Sequence, residues 1–223
     1  MSRYVRLALY REGPTDRRFL SPLLFRVVWE RVAAATEPVE LPEDVLELRP
    51  GPDEAKLSQA ERIEKLATDA DGLFELLFIH ADGAGNPAAA LANCVVPGAG
   101  RVHAKFGTEV RAVPVVPVRE MEAWAIADPE AFCRVVGVSK TADELGLPQS
   151  AKRVEGVLDP KKALDDAVVA AFGLAKRRSV PGGAAYLAQL GDEVSLDRLR
   201  SVPAFAQLEA DIDAALKVLG ILR

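Results

Sequence analysis

Residues 73–85, LFELLFIHADGAG, constrain the fold of this chain more than any other stretch. Leu76, Leu77, Phe78 and Ile79 form an unbroken apolar run, the pattern of a strand covered on both faces. Such strands belong to parallel sheets with helices on either side. The run ends at His80, Ala81 and Asp82, followed by Gly83 and Gly85, so the strand opens into a short acidic loop. In open parallel sheets ligands bind beyond the carboxyl ends of the strands. Asp82 therefore falls where chemistry is expected.

The chain before this stretch alternates. Residues 4–10 (YVRLALY) read as a first strand, and Arg11, Glu12, Gly13 and Pro14 turn the chain. Thr15 or Asp16 can cap a helix reaching about residue 34, with Phe19, Leu20, Leu23, Leu24, Val27 and Val28 on one face. Pro22 inside it predicts an irregular first turn or a later start. Residues 45–48 form a short second strand, and residues 53–71 a second helix with Ile63, Leu66 and Ala67 facing inward. After the central strand, residues 87–94 read as a short helix and 95–107 as a loop. Residues 112–118 (AVPVVPV) are β-branched, but Pro114 and Pro117 cannot donate to a ladder, so this is an edge or interrupted strand.

This order predicts an α/β fold over residues 1–118, with about four mostly parallel strands flanked by helices and right-handed crossovers. Residues 119–223 change character. Helices are expected over 120–136, broken at Asp128-Pro129, from Pro160 onward, over 182–190 and over 203–219. They form a helical C-terminal part whose apolar stripes, such as Phe205, Leu208, Ile212 and Leu216, require the first part as a partner surface.

Composition narrows the function classes. A net charge of -5 gives no global attraction to nucleic acid, so any such binding needs a local basic patch or a metal. Two histidines in the whole chain argue against a histidine-rich zinc site. Cys94 and Cys133 lack metal-ligand spacing and read as reduced thiols. The opening MSRYVRLALYREG is unlike a signal peptide, and no apolar run approaches the ~20 residues that span a membrane. A cytoplasmic protein is expected.

Three carboxylates can carry chemistry. Glu12 follows the first strand and precedes a helix, where it can act on a phosphate through a metal or as a general acid/base; the alternative is a loop glutamate paired with Arg11 or Arg17. Asp82 is either a Mg²⁺ ligand or a turn former beside Gly83. Glu122 follows the fourth strand and can supply a third metal ligand, or serve as an ordinary acid at a helix N-terminus. His80 reads as packed or hydrogen-bonded, and Trp124 as core. Lys176, Arg177 and Arg178, with Lys161, Lys162, Arg198 and Arg200 elsewhere, can contact phosphates or lie as solvated helix ends. There is no G-x-x-x-x-G-K-[ST] loop, no G-x-G-x-x-G fingerprint and no supported Cys or Ser nucleophile.

Taken together, EGPTDRRFL after strand one resembles the opening of Toprim domains, and FIHADGAG resembles their later strand ending in an Asp-x-Asp pair. PVVPVREMEAWAIADPEAF, the later Asp159-Pro160-Lys161 and VPAFAQLEADI resemble the bacterial DUF4276 family, a Toprim-like group. Toprim domains serve topoisomerases, primases and overcoming-lysogenization-defect nucleases, with an acidic cluster that binds Mg²⁺ and acts on phosphodiesters. The resemblance implies that Glu12 is a general acid/base or ligand, that Asp82 is a metal ligand, and that an ATPase is the partner in phage defence or DNA repair. It also exposes a departure. With Asp82 as the first aspartate of the pair the second falls on Ala84; with Asp82 as the second the first falls on His80. Glu122 can replace the missing carboxylate. Two classes are expected: a weakly Mg²⁺- or Mn²⁺-binding nuclease, or a catalytically degenerate Toprim-like binding module.

Overall fold

The structure is a computed structural model that describes residues 3–11, 13–173 and 181–223. The elements in chain order are β1 (Arg3–Tyr4), β2 (Leu7–Tyr10), α1 (Asp16–Ala33), β3 (Val39–Glu40), β4 (Val45–Leu48), α2 (Gln59–Asp69), β5 (Leu76–His80), α3 (Pro87–Ala90), a π-helical turn (Leu91–Val95), α4 (Val96–Phe106), β6 (Arg111–Val115), α5 (Glu122–Ala125), α6 (Pro129–Val136), α7 (Ala142–Leu145), α8 (Pro160–Phe172), α9 (Leu187–Glu193), α10 (Leu196–Leu199) and α11 (Pro203–Val218). The fold is α/β, a parallel four-stranded sheet flanked by helices and followed by a mostly helical C-terminal part.

The sheet order is β4-β2-β5-β6, all parallel. From β2 the chain steps outward to β4, then returns across β2 to β5. The direction of winding thus reverses between β2 and β5. Beyond the carboxyl ends of these two strands lies the crevice that open α/β sheets use for ligands.

Side-chain alternation divides the core. Leu7, Leu9, Leu76, Phe78, Val113 and Val115 face α1 and the helical part, where Phe19, Leu23, Trp124, Phe205 and Ile212 join them in one buried cluster. Ala8, Tyr10, Leu77 and Ile79 face the other way, onto Ile63, Ala67, Val95 and Val102. Continuing the first alternation past Phe78 places His80 on the α1 side, at the level where α1 begins.

Several elements depart from the sequence expectation. The stretch 4–10 is two strands, because β1 pairs with β3 while β2 enters the main sheet. α1 runs through Pro22 from Asp16 without a later start. α9 packs there so closely that a Cβ on Gly191 would collide with the Phe19 carbonyl and the Pro22 ring, so tertiary contact holds the turn that proline weakens. The expected helix 53–71 is a 3₁₀ turn (Pro52–Lys56) followed by α2, which starts at a Ser58–Glu61 capping box. The expected loop 95–107 is mostly α4. Gly98 is what lets the helix approach α2, since a Cβ there would strike Ile63. β6 is an edge strand, as its prolines demanded. Among the described residues no helix is long and apolar enough to cross a membrane.

Candidate functional site

The loop after β5 is fastened to the segment after β6. The Gly83, Ala84 and Gly85 amides donate to the carbonyls of Pro117 (3.1 Å), Arg119 (3.2 Å) and Val118 (2.8 Å). The approach is so close at Gly83 that a side chain there would collide with the Pro117 and Val118 carbonyls. Ala84 has a left-handed backbone, φ 46°, unusual for a residue other than glycine. This fastening brings the chain after β6, and with it α5, beside Asp82.

Asp82 extends from the end of β5 with its side chain 42% exposed. Glu122, in the first turn of α5, is buried. Burial pushes the Glu122 carboxyl up to about 7, the nearby negative charges of Glu120 and Asp82 push the same way, and Lys161 and the helix backbone oppose them. Asp82 and Glu122 therefore stand close enough to feel each other. Glu12, the third expected carboxylate, lies outside the described residues, as do Lys176, Arg177 and Arg178. Arg11 and Arg17, the two arginines considered as its partners, both pair with Glu47.

His80 is fully buried at the same sheet end. Its Nδ1 lies 2.9 Å from the Val115 carbonyl, so Nδ1 carries the proton and donates. Nε2 faces Asp82 Oδ1 at 3.4 Å and Asp16 Oδ2 at 3.6 Å, distances of an ion pair rather than of a hydrogen bond, and it has no hydrogen-bond partner. Burial lowers the His80 pKa, but the two aspartates and the Val115 carbonyl together outweigh it, and the net shift is upward. Asp16, itself buried, accepts the Gly13 amide at 2.6 Å. The sequence offered Asp16 only as a helix cap. The signal that it does more is its placement one turn after a strand end, on the face that His80 shares.

Other expected residues take structural places. Trp124 is fully buried, edge-on to Phe205 with ring centroids 5.5 Å apart. Asp128 caps α6 by accepting the Glu130 and Ala131 amides, and also binds the Ser195 amide, each at 3.1 Å. Cys94 and Cys133 form no disulfide. An apolar cavity of about 310 Å³ lies along the β6 edge, lined by Pro87, Leu91, Val116, Val118 and Pro203 among others, and the carboxylates are not part of its wall.

Among the described residues no three His, Cys, Asp or Glu side chains are grouped to hold a metal ion. Of the three expected ligands, the described residues include two, Asp82 and Glu122, and the charge of the first is felt by the second.

The fold defines a class: a parallel four-stranded α/β protein with Asp82 at the carboxyl end of β5 and Glu122 in the segment after β6. The chain belongs to the DUF4276 family, described as a domain of unknown function, whose model matches residues 11–213. No curated protein and no solved structure matches it.

Proposed function

We propose that this chain is a Toprim-like protein that acts on phosphodiesters with Mg²⁺ or Mn²⁺, a nuclease serving as the effector partner of an ATPase in phage defence or DNA repair. The observation that carries this reading is that the loop after β5, which holds Asp82, is fastened to the segment after β6 that leads into the buried Glu122, whose carboxyl is raised mainly by burial and further by Glu120 and Asp82. Carboxylates held together away from water repel each other, and a divalent cation relieves that repulsion. When bound, such a cation supplies Lewis-acid polarisation of a phosphoryl oxygen. Asp82, exposed and unburdened by packing, is the ligand open to solvent. Glu122 holds a proton near neutral pH and must release it to become a ligand, so cation binding is coupled to proton release. His80, when protonated, faces both Asp16 and Asp82 and favours their ionised forms. Glu12 is proposed as general acid/base on the strength of the Toprim resemblance.

The partner and the substrate, DNA or RNA, are part of the proposal. The test is a nuclease assay with Mg²⁺ or Mn²⁺, alone and with an ATPase encoded beside this chain. Cleavage that Asp82→Ala abolishes, in a variant that stays folded, is the expected result. A second reading, a degenerate Toprim-like binding module, is favoured by one observation. The two positions where a partner aspartate would stand hold Ala84, which has no ligating group, and His80, which is buried against Asp16. Absence of cleavage in that assay, together with no cation binding by calorimetric titration, supports the second reading.

A further inference from the structure

In many phosphate sites a loop of free amides cradles the anion. Here that route is closed, because the Gly83, Ala84 and Gly85 amides are all engaged by carbonyls of residues 117–119. An anion arriving at Asp82 and Glu122 must be met by side chains, and in a chain of net charge -5 those side chains must be cations placed locally.

Two cations belong to the segments that support these carboxylates. Arg119 is half-buried, and its guanidinium lies over the bare backbone of Gly85: Cζ and both terminal nitrogens are 3.7 Å from where a Cβ on Gly85 would sit. Its own carbonyl binds the Ala84 amide, so its backbone is fixed to the loop that carries Asp82. Among the described residues Arg119 makes no ion pair, so its charge is not spent on a carboxylate. Lys161 is exposed in the first turn of α8, where its amide reaches Glu120 Oε2 at 3.4 Å and its charge favours the ionised form of Glu122. Its ammonium also makes no ion pair among the described residues. Each cation is thus attached to the support of one of the two carboxylates.

We propose that Arg119 and Lys161 form a phosphate-binding subsite beside Asp82 and Glu122, the arginine fork gripping one phosphate oxygen pair and the lysine acting as a point charge. This assignment rests on the phosphodiester reading and names the anion chemistry of that site. The phosphate can belong to a nucleic-acid strand or to a small phosphate compound.

The experiment separates the subsite from metal chemistry by working in EDTA. Binding of a fluorescein-labelled single-stranded oligonucleotide is followed by anisotropy across a salt series for the wild type, Arg119→Gln, Lys161→Gln and the double variant. Lys217→Gln, on the last turn of α11, is the charge-matched control, and circular dichroism confirms folding. Each site substitution is expected to weaken binding and to flatten the slope of log K against log salt by about 0.7, the value per phosphate contact on a single strand. The control should leave the slope unchanged. A competition arm with inorganic pyrophosphate identifies the source: displacement assigns the subsite to an isolated phosphate, and failure to displace assigns it to the strand, both consistent with the proposal. Unchanged slopes in Arg119→Gln and Lys161→Gln, equal losses in Lys217→Gln, or no binding of either probe by the wild type would overturn it. Slopes that flatten as expected in a protein that never cleaves would leave the subsite standing and remove the nuclease reading alone.

Discussion

Where α1, α10 and α11 meet, opposite charges interlock; at the carboxyl end of the sheet, like charges are crowded together. Arg31 contacts Glu209 at 2.7 Å, Asp213 at 3.2 Å and Glu30 at 3.4 Å, while Arg200 contacts Asp197 at 2.5 Å, Glu209 at 3.1 Å and Glu30 as well. Glu209 is buried, yet two guanidiniums satisfy it. Glu122 is buried too, but its neighbours include Glu120 and Asp82, and its carboxyl is pushed to about 7. The same residue type in the same degree of burial serves as a bolt in one place and as a poised, proton-holding group in the other. Perturbed carboxylates of this kind cluster at functional sites, and this contrast is what the proposed function builds on.

The largest effect should come from breaking the bolt. Glu209→Ala leaves two arginines facing each other and is expected to cost about 3 kcal/mol of stability, at the lower end for a broken buried pair because other acids remain nearby. Urea denaturation measures it, and phosphate and cation binding should survive in the folded fraction.

Next is His80→Gln, which removes the group between Asp16 and Asp82. His80 has a raised folded pKa, so its stabilisation is fully present below its unfolded value of 6.5 and fades as pH rises through the folded value. The variant should lose about 2 kcal/mol at pH 5.5 and less at high pH. A loss that grows with pH would contradict the ion-pair geometry.

The sequence carried most of the fold and the places of two of the three proposed carboxylates. Apolar runs exposed the strands because they are buried on both faces, and the prolines of β6 marked an edge. The loop assigned to residues 95–107 failed because Gly98 serves close packing against Ile63, a tertiary reason that propensity cannot register. The positions of Asp82 and Glu122 after β5 and β6 were legible because residues that follow strands of a parallel sheet emerge at one end. The pairing of Asp16 with His80 was not, since it depends on which face each residue takes across separate elements. The ion pairs around Glu209 were equally hidden, because Arg31 and Arg200 are far apart in sequence.

A smaller effect of opposite sign should follow from Glu122→Gln. Between the ordinary 4.5 and about 7 the folded chain keeps a proton that the unfolded chain has released, so stability falls as pH rises through that window. With allowance for solvent screening the cost is on the order of 2 kcal/mol. Glu122→Gln should remove this slope and be more stable than wild type by about 1–2 kcal/mol at pH 8. Chemical denaturation at pH 5 and pH 8 checks both parts.

Asp82→Ala should alter stability least, within about 0.5 kcal/mol, because a half-exposed loop aspartate carries little packing. Its functional effect makes it the direct test of the comparison. Calorimetric titration of Mg²⁺ and Mn²⁺ into wild type and Asp82→Ala, each confirmed as folded, measures whether the crowded carboxylates are kept for a cation. The account predicts weak binding with release of protons near neutral pH in the wild type, and its loss in Asp82→Ala. Binding of equal strength in both proteins, or none in the wild type even with oligonucleotide present, would contradict it.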